Sequence, residues 1–253
     1  MTQTSMLAAG PQKITAVDSS LMWRVFYAFA VLALLSLAVS VGGKWFGRSI
    51  ALAGHTDDTT LREIVIGNNV ISAPSNTIRF ERARLDGIAT RLDLYMRWPD
   101  LDGYSDAARA DFNHAQDTRR IIFMSFEERM MSRDMSGRLT PIYASMLARP
   151  GVPGPAGIKL YGFSEQSGYL NEVLAVADQD GAEPFVARCL SGTNTADSLA
   201  PCERDIHVGD DLSLSYRFPK ELLGNWRALD TAIRNKAAAM LKTSGPILTF
   251  ASP

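Results

Sequence analysis

Apolar and polar positions along the chain fall into three patterns. From Val25 to Val41 no residue is charged and only Ser36 and Ser40 are polar. With Leu21 to Trp23 and Gly42-Gly43 the run reaches the roughly 20 residues that a helix needs to cross a bilayer. Such a stretch is too apolar for the surface of a soluble domain. Past Arg48 the apolar density falls, and "AGHTDDTT", Ala53 to Thr60, reads as a short polar linker. Beyond Thr60 the chain is mostly strand-like. In "RLDLYMRW" Leu92, Leu94, Met96 and Trp98 share one face and Arg91, Asp93, Tyr95 and Arg97 the other, the period of a half-buried strand that Pro99 stops. "RRIIFMSF" is apolar on both faces and predicts a central strand covered on two sides. Further strands are predicted at Ile158 to Phe163, Leu170 to Ala177, Phe185 to Leu190, Cys202 to Val208 and Leu212 to Phe218, separated by turns such as "DQDG" and "VGDD". The third pattern is helical. From Pro219 to before Gly245-Pro246, Leu222, Trp226, Leu229, Ile233, Ala237 and Met240 recur at three and four, making one apolar stripe that covers a sheet or a partner helix. Two short helices are predicted earlier, one capped by Asn76 through "TIRFERARL" and one capped by Ser105 through "DAARADF". "PGVPGPAG", Pro150 to Gly157, marks either a subdomain boundary or a stiff loop inside one sheet, and continuing strands on both sides favour the loop.

The apolar run is a retained span or a cleavable signal with Ala38-Val39-Ser40 as its processing site. The segment before it carries Asp18, and the run exceeds the ~7–15 apolar residues of a signal core, so retention is expected. Trp23, Tyr27, Trp45 and Phe46 stand near its ends, as amphipathic aromatics do at headgroup level. Flanking charge does not orient it, because Lys13 and Arg24 before it balance Lys44 and Arg48 after it. Cysteine usage does. Cys189 and Cys202 both lie after the run, as expected for one disulfide in an oxidising compartment; two buried reduced thiols in a cytosolic domain are the alternative. Closing the polar loop "SGTNTADSLAP" this way contributes on the order of 3 kcal/mol. The expected organisation is a cytoplasmic tail over 1–20, a transmembrane helix over 21–43, a linker over 44–60 and a periplasmic body over 61–253. The expected fold class is α+β: one N-terminal transmembrane helix, a mainly antiparallel meander sheet and a C-terminal amphipathic helix.

Charge narrows the partners. With 26 basic against 27 acidic residues the formal net charge is -1, so no bulk field favours nucleic acid, and none is expected to bind. The bilayer is the expected partner of Val25 to Gly43, and other envelope proteins are the expected partners of the body.

No motif assembles a catalytic centre. The three histidines, His55, His114 and His207, have no helical metal spacing, and H-E-x-x-H, C-x-x-C, G-x-S-x-G and glycine-rich phosphate loops are absent; neither a metal nor a cofactor is expected. His207 alternates with Asp205 and Glu203 onto one strand face, either as a carboxylate-oriented proton-transfer group or as a solvated polar face. Asp100, Asp102 and Asp106 cluster in "WPDLDGYSD" without the last glutamate of an EF-hand, and Met130, Met131 and Met135 offer thioethers that elsewhere serve as core filler. The weak catalytic candidates are therefore His207, Asp205, His114 and Asp102. The contact candidates are Asn194 and Asp197 in the disulfide-closed loop, and the aromatics Trp98, Tyr104 and Tyr169.

"RLDLYMRWPDLDGYS", "MMSRDMSGRLTPIY", "SGYLNEVLAVA" and "ERDIHVGDDLSLSYRF" together resemble uncharacterised single-pass inner-membrane proteins of alphaproteobacteria over most of the chain beyond the linker. The resemblance implies an inner-membrane address and brings no activity, cofactor or catalytic residue. The expected function is a membrane-anchored periplasmic module that binds or assembles with other envelope components. The alternative is a membrane-anchored hydrolase or metal-dependent enzyme built on Asp102, His114 or His207. A sensor signalling inward is disfavoured, since about two dozen residues before the span are too few for a folded output domain.

Overall fold

The alternation along each strand becomes the two faces of a sheet. In a computed structural model, described over residues 19–52, 54–113, 119–192 and 198–242, the chain forms two units that divide between Ala53 and Gly54. The first contains helix α1, Ser19–Leu52, within which Ser20–Val41 is long and apolar enough to cross a membrane. Near the start of that stretch the rings of Trp23, Phe26 and Tyr27 meet one another at 5.9–6.0 Å.

The second unit holds two sheets. Strands β1 (Leu61–Ile66) and β2 (Asn69–Pro74) form an antiparallel hairpin through Gly67-Asn68, where Gly67 takes a positive φ of 55°, and β3 (Gly87–Ile88) lies parallel to β1. The larger sheet has eight antiparallel strands in the order β4-β5-β11-β10-β9-β8-β7-β6. These are β4 (Arg91–Arg97), β5 (Ile121–Glu128), β6 (Val152–Pro153), β7 (Lys159–Gly162), β8 (Glu172–Ala177), β9 (Phe185–Leu190), β10 (Cys202–Val208) and β11 (Leu212–Phe218). From β6 to β11 the sheet is a meander, and β5 and β4 extend it beyond β11. The short helix α2 (Arg109–Phe112) comes after β4, and α3 (Trp226–Met240) closes the described chain.

One face of the large sheet carries the core. Leu92 and Leu94 of β4, Met124 and Phe126 of β5, and Leu214 and Tyr216 of β11 pack with Ile64, Ile66 and Ile71 of the hairpin and with Trp226, Leu229, Ile233 and Ala237 of α3. Helix α3 thus spends its apolar stripe on covering the sheet. Cys189 and Cys202 face each other across β9 and β10, both buried in this core, and are joined by a disulfide with Cα atoms 4.0 Å apart.

Several expectations change. Residues 77–85 do not form a helix capped by Asn76; they make 3-10 turns at Ser75–Thr77 and Glu81–Ala83. Fully buried Ile78 is instead bridged to Leu94 on the edge strand, so sheet pairing overrides the local helical preference. The C-terminal helix opens with a 3-10 segment, Lys220–Asn225, and becomes α-helical at Trp226. Pro150 to Gly157 supplies edge strand β6 and so lies within one sheet. Residues read as the end of the linker belong to the body: His55 Nδ1 is 2.9 Å from the Tyr95 hydroxyl, and Ser75 N donates to the Thr60 carbonyl at 2.9 Å.

Candidate functional site

The other face of the large sheet holds the polar half of every alternating strand. Register aligns Asp93, Ser125, Ser215 and Asp205 in one row across β4, β5, β11 and β10, and Arg91, Glu127, Ser213 and His207 in the next. Small hydroxyl side chains at the centre of these rows and larger charged ones at their ends leave a trough along β11. Two adjoining grooves occupy it, of about 380 and 470 Å³, and share Glu127, Glu203 and Ser215.

One wall of the smaller groove comes from the segment after β5. Met135 and Tyr143 pack there on Leu174 and Val186, a small second core on the polar side of the sheet. Arg138 from this segment pairs with Asp205 and donates to the Met131 thioether, while its Nε is buried without a partner. Tyr169 stands on Phe163, with ring centroids 4.7 Å apart, and carries the Arg188 guanidinium 5.0 Å from its own centroid. Arg188 in turn pairs with Glu172 at 2.8 Å and Glu203 at 3.6 Å. In the larger groove Ser125 Oγ donates to Asp93 at 3.0 Å, and Arg91 pairs with Asp93 at 2.9 Å and Glu127 at 3.4 Å.

Burial sets the acid–base character of this face. It raises the Asp205 carboxyl against the opposing pull of Arg138, raises Glu172 against Arg188, and raises the Tyr143 phenol. Four carboxylates in the smaller groove, Glu127, Glu128, Glu203 and Asp205, stand against two guanidiniums, Arg138 and Arg188, leaving an excess of two negative charges. Met130 is 93% exposed at the rim. The arrangement offers charge, hydrogen-bond acceptors and soft apolar contact to an incoming surface.

The sequence-derived candidates separate into groups. His207, Asp205 and Tyr169 line the same groove. Asp205 is engaged by Arg138, and among the described residues no carboxylate is hydrogen-bonded to the His207 ring to orient it. Asp102 is exposed in the turn after β4, where its carbonyl accepts the Arg97 N–H at 2.8 Å, away from this groove's lining. Trp98 is half-buried against the main core. Tyr104, expected as a contact residue, is corrected by its burial: it is fully enclosed, stacked on His55 at 4.8 Å with Tyr95 and Phe112 around it. His114, Asn194 and Asp197 lie outside the described residues. Among the described residues no group of three or more His, Cys, Asp or Glu side chains is placed to hold a metal ion.

Pattern reasoning missed a charged network inside the core. Arg204, on the core face of β10, donates to Asp230 of α3 at 3.0 Å, to Ser136 Oγ at 2.9 Å and to the Val186 carbonyl at 2.8 Å. Tyr216 O–H donates to Asp230 at 2.7 Å and Arg234 donates to its other oxygen at 2.9 Å. The signal was present, since the β10 alternation places Arg204 between Cys202 and Ile206 on the inward face, and Asp230 lies four residues after Trp226 within the apolar stripe.

No protein-family model matches the chain, and no curated protein matches it. Solved structures that the chain matches in part include an immunity protein of the Stenotrophomonas maltophilia type IV secretion system, 14% identical with a TM-score of 0.49, over 74% of this chain and 96% of that one. Another is the iron-regulated outer membrane lipoprotein FrpD of Neisseria meningitidis, 7% identical with a TM-score of 0.38, over 73% of this chain and 98% of that one.

Proposed function

We propose that this chain is a membrane-anchored envelope module whose periplasmic body binds a partner protein through the polar face of the eight-stranded sheet. The observation that carries this reading is the trough across β5, β11 and β10 that the described residues leave uncovered, whose smaller groove is rimmed by exposed methionine and lined by four carboxylates against two guanidiniums. The part of this face beside the second core presents paired but solvent-facing charges to an incoming surface. Stretch Ser20–Val41 supplies the anchor, and the Cys189–Cys202 disulfide supports an oxidising compartment. The resemblance to alphaproteobacterial single-pass proteins supports an inner-membrane address.

The carboxylate excess in the smaller groove supports a partner surface that presents Lys or Arg to Glu128 and to Glu127, which Arg91 already meets at 3.4 Å. A photo-crosslinking residue at Ser213, on the groove floor, is expected to give a discrete adduct in living cells. The same group at Asp180, on the turn between β8 and β9, is expected to give none. Glu127→Lys combined with Glu128→Lys should lower the Ser213 adduct about tenfold or more, because like charges juxtaposed across an interface cost several kcal/mol. Equal adducts from both positions, or a Ser213 adduct indifferent to the charge reversal, would remove the groove as the binding surface.

A further inference from the structure

We propose that the loop from Arg79 to Ile88 is a second contact, made with an anionic lipid surface. Three apolar side chains in this short stretch face solvent: Phe80 is 39% exposed, Leu85 69% and Ile88 91%. The Arg79 and Arg82 guanidiniums lie 5.1 and 5.7 Å from the centroid of the Phe80 ring, and among the described residues neither forms an ion pair. Apolar side chains flanked by unpaired arginines form the combination that seats at a headgroup boundary, with hydrocarbon below and phosphate beside the guanidinium.

The loop's place in the body selects lipid over a soluble partner. The chain enters the body at Gly54, and Arg84 of this loop donates to the Gly54 carbonyl at 2.7 Å. The loop therefore sits beside the body's point of attachment. Only 12 residues, 42–53, separate Ser20–Val41 from Gly54 in sequence, so with the span retained in the bilayer the body meets lipid at a high effective concentration and a weak patch suffices. The net charge of -1 gives the whole chain no bulk attraction to anionic membranes, so the attraction has to come from local charge, here Arg79, Arg82 and Arg84 against Glu81 and Asp86. The inference rests on the anchored reading and adds a surface to it that adjoins the larger groove through Arg79 but shares no residue with the smaller one.

The test uses the full chain in vesicles of phosphatidylethanolamine and phosphatidylglycerol. A nitroxide is attached at Ile88→Cys or, for comparison, at Asp180→Cys; the native cysteines are bonded and buried, so the label goes to the new thiol. Collision rates with oxygen and with a water-soluble nickel chelate are measured. The Ile88 label is expected to be severalfold less accessible to nickel and more accessible to oxygen than the Asp180 label. That difference should disappear with Arg79→Glu and Arg82→Glu together, or in phosphatidylcholine vesicles. Equal nickel accessibility at the two positions would overturn the lipid contact. Shielding of the Ile88 label from both reagents would also overturn it, in favour of protein. Lipid exposure that survives both the charge reversal and the neutral vesicles would overturn the part assigned to the arginines. Failure of the chain to float with the vesicles would count against the anchor, which separates the two readings.

Discussion

Replacing Asp230 by alanine is expected to lower the unfolding free energy by about 3–5 kcal/mol, because it strands a buried guanidinium. Arg204 is 1% exposed, and its Nε loses the carboxylate it donates to at 3.0 Å. Tyr216, fully buried, loses the acceptor of its O–H, and Arg234 loses its partner on the same helix. Asp230 is thus the shared acceptor of three donors from β10, β11 and α3. The paired replacement Arg204→Met with Asp230→Leu should cost much less, since apolar side chains of similar volume frequently substitute for a complete buried pair without penalty. Urea unfolding of the full chain, followed by tryptophan fluorescence, gives both values. A single-residue loss below about 1 kcal/mol would place the network outside the folded core.

The same network sets an acid limit. Burial alone would raise the Asp230 carboxyl, but Arg204, the Tyr216 hydroxyl and Arg234 together hold it below its ordinary value. A carboxylate depressed in the folded state stabilises the protein above its unfolded pKa, near 3.9. That contribution is lost as pH falls below this value and through the folded one. The stability difference between the native chain and Asp230→Asn is therefore expected to shrink as pH falls below about 4. A difference independent of pH between 6 and about 2 would contradict this assignment.

Removal of the disulfide by Cys189→Ala with Cys202→Ala is the other large expected effect, about 3 kcal/mol. The two cysteines are 13 residues apart and stand opposite each other on β9 and β10. The bond shortens the loop that the unfolded chain explores, and the loss of two buried sulfurs opens space in the main core. Much of the intervening sequence, "SGTNTADSLAP", is polar. Thermal unfolding with and without reductant measures the effect; equal midpoints for native and double-variant chains would show the cross-link to be dispensable.

The sheet was legible because alternation alone determines which side chains face inward. "CERDIHV" and "LSLSYRF" have the strand limits that their patterns predict, and their pairing puts His207 opposite Ser213 and Asp205 opposite Ser215. The hairpin at Leu61–Pro74 was less legible, although Gly67-Asn68 between two apolar runs is a turn signal. Residues 77–85 misled because helical capping is local, whereas the pairing of Ile78 with Leu94 spans residues that only the fold brings together. The same limit applies to the groove. Its floor is set by strand register, but the wall that brings Arg138 to Asp205 and Tyr169 beside Arg188 comes from segments without periodicity. Tyr104 illustrates the converse error, an aromatic in a turn that looks available in sequence and is enclosed by His55, Tyr95 and Phe112.

The proposed module depends on a helix that stays with the body and on a body that folds in oxidising surroundings. Intact mass spectrometry of the protein from washed membranes, alkylated without reductant, tests both at once. The expected mass includes residues 25–43 and carries no alkyl group on Cys189 or Cys202. A chain beginning just after Ser40, or one carrying two alkyl groups, would contradict the account.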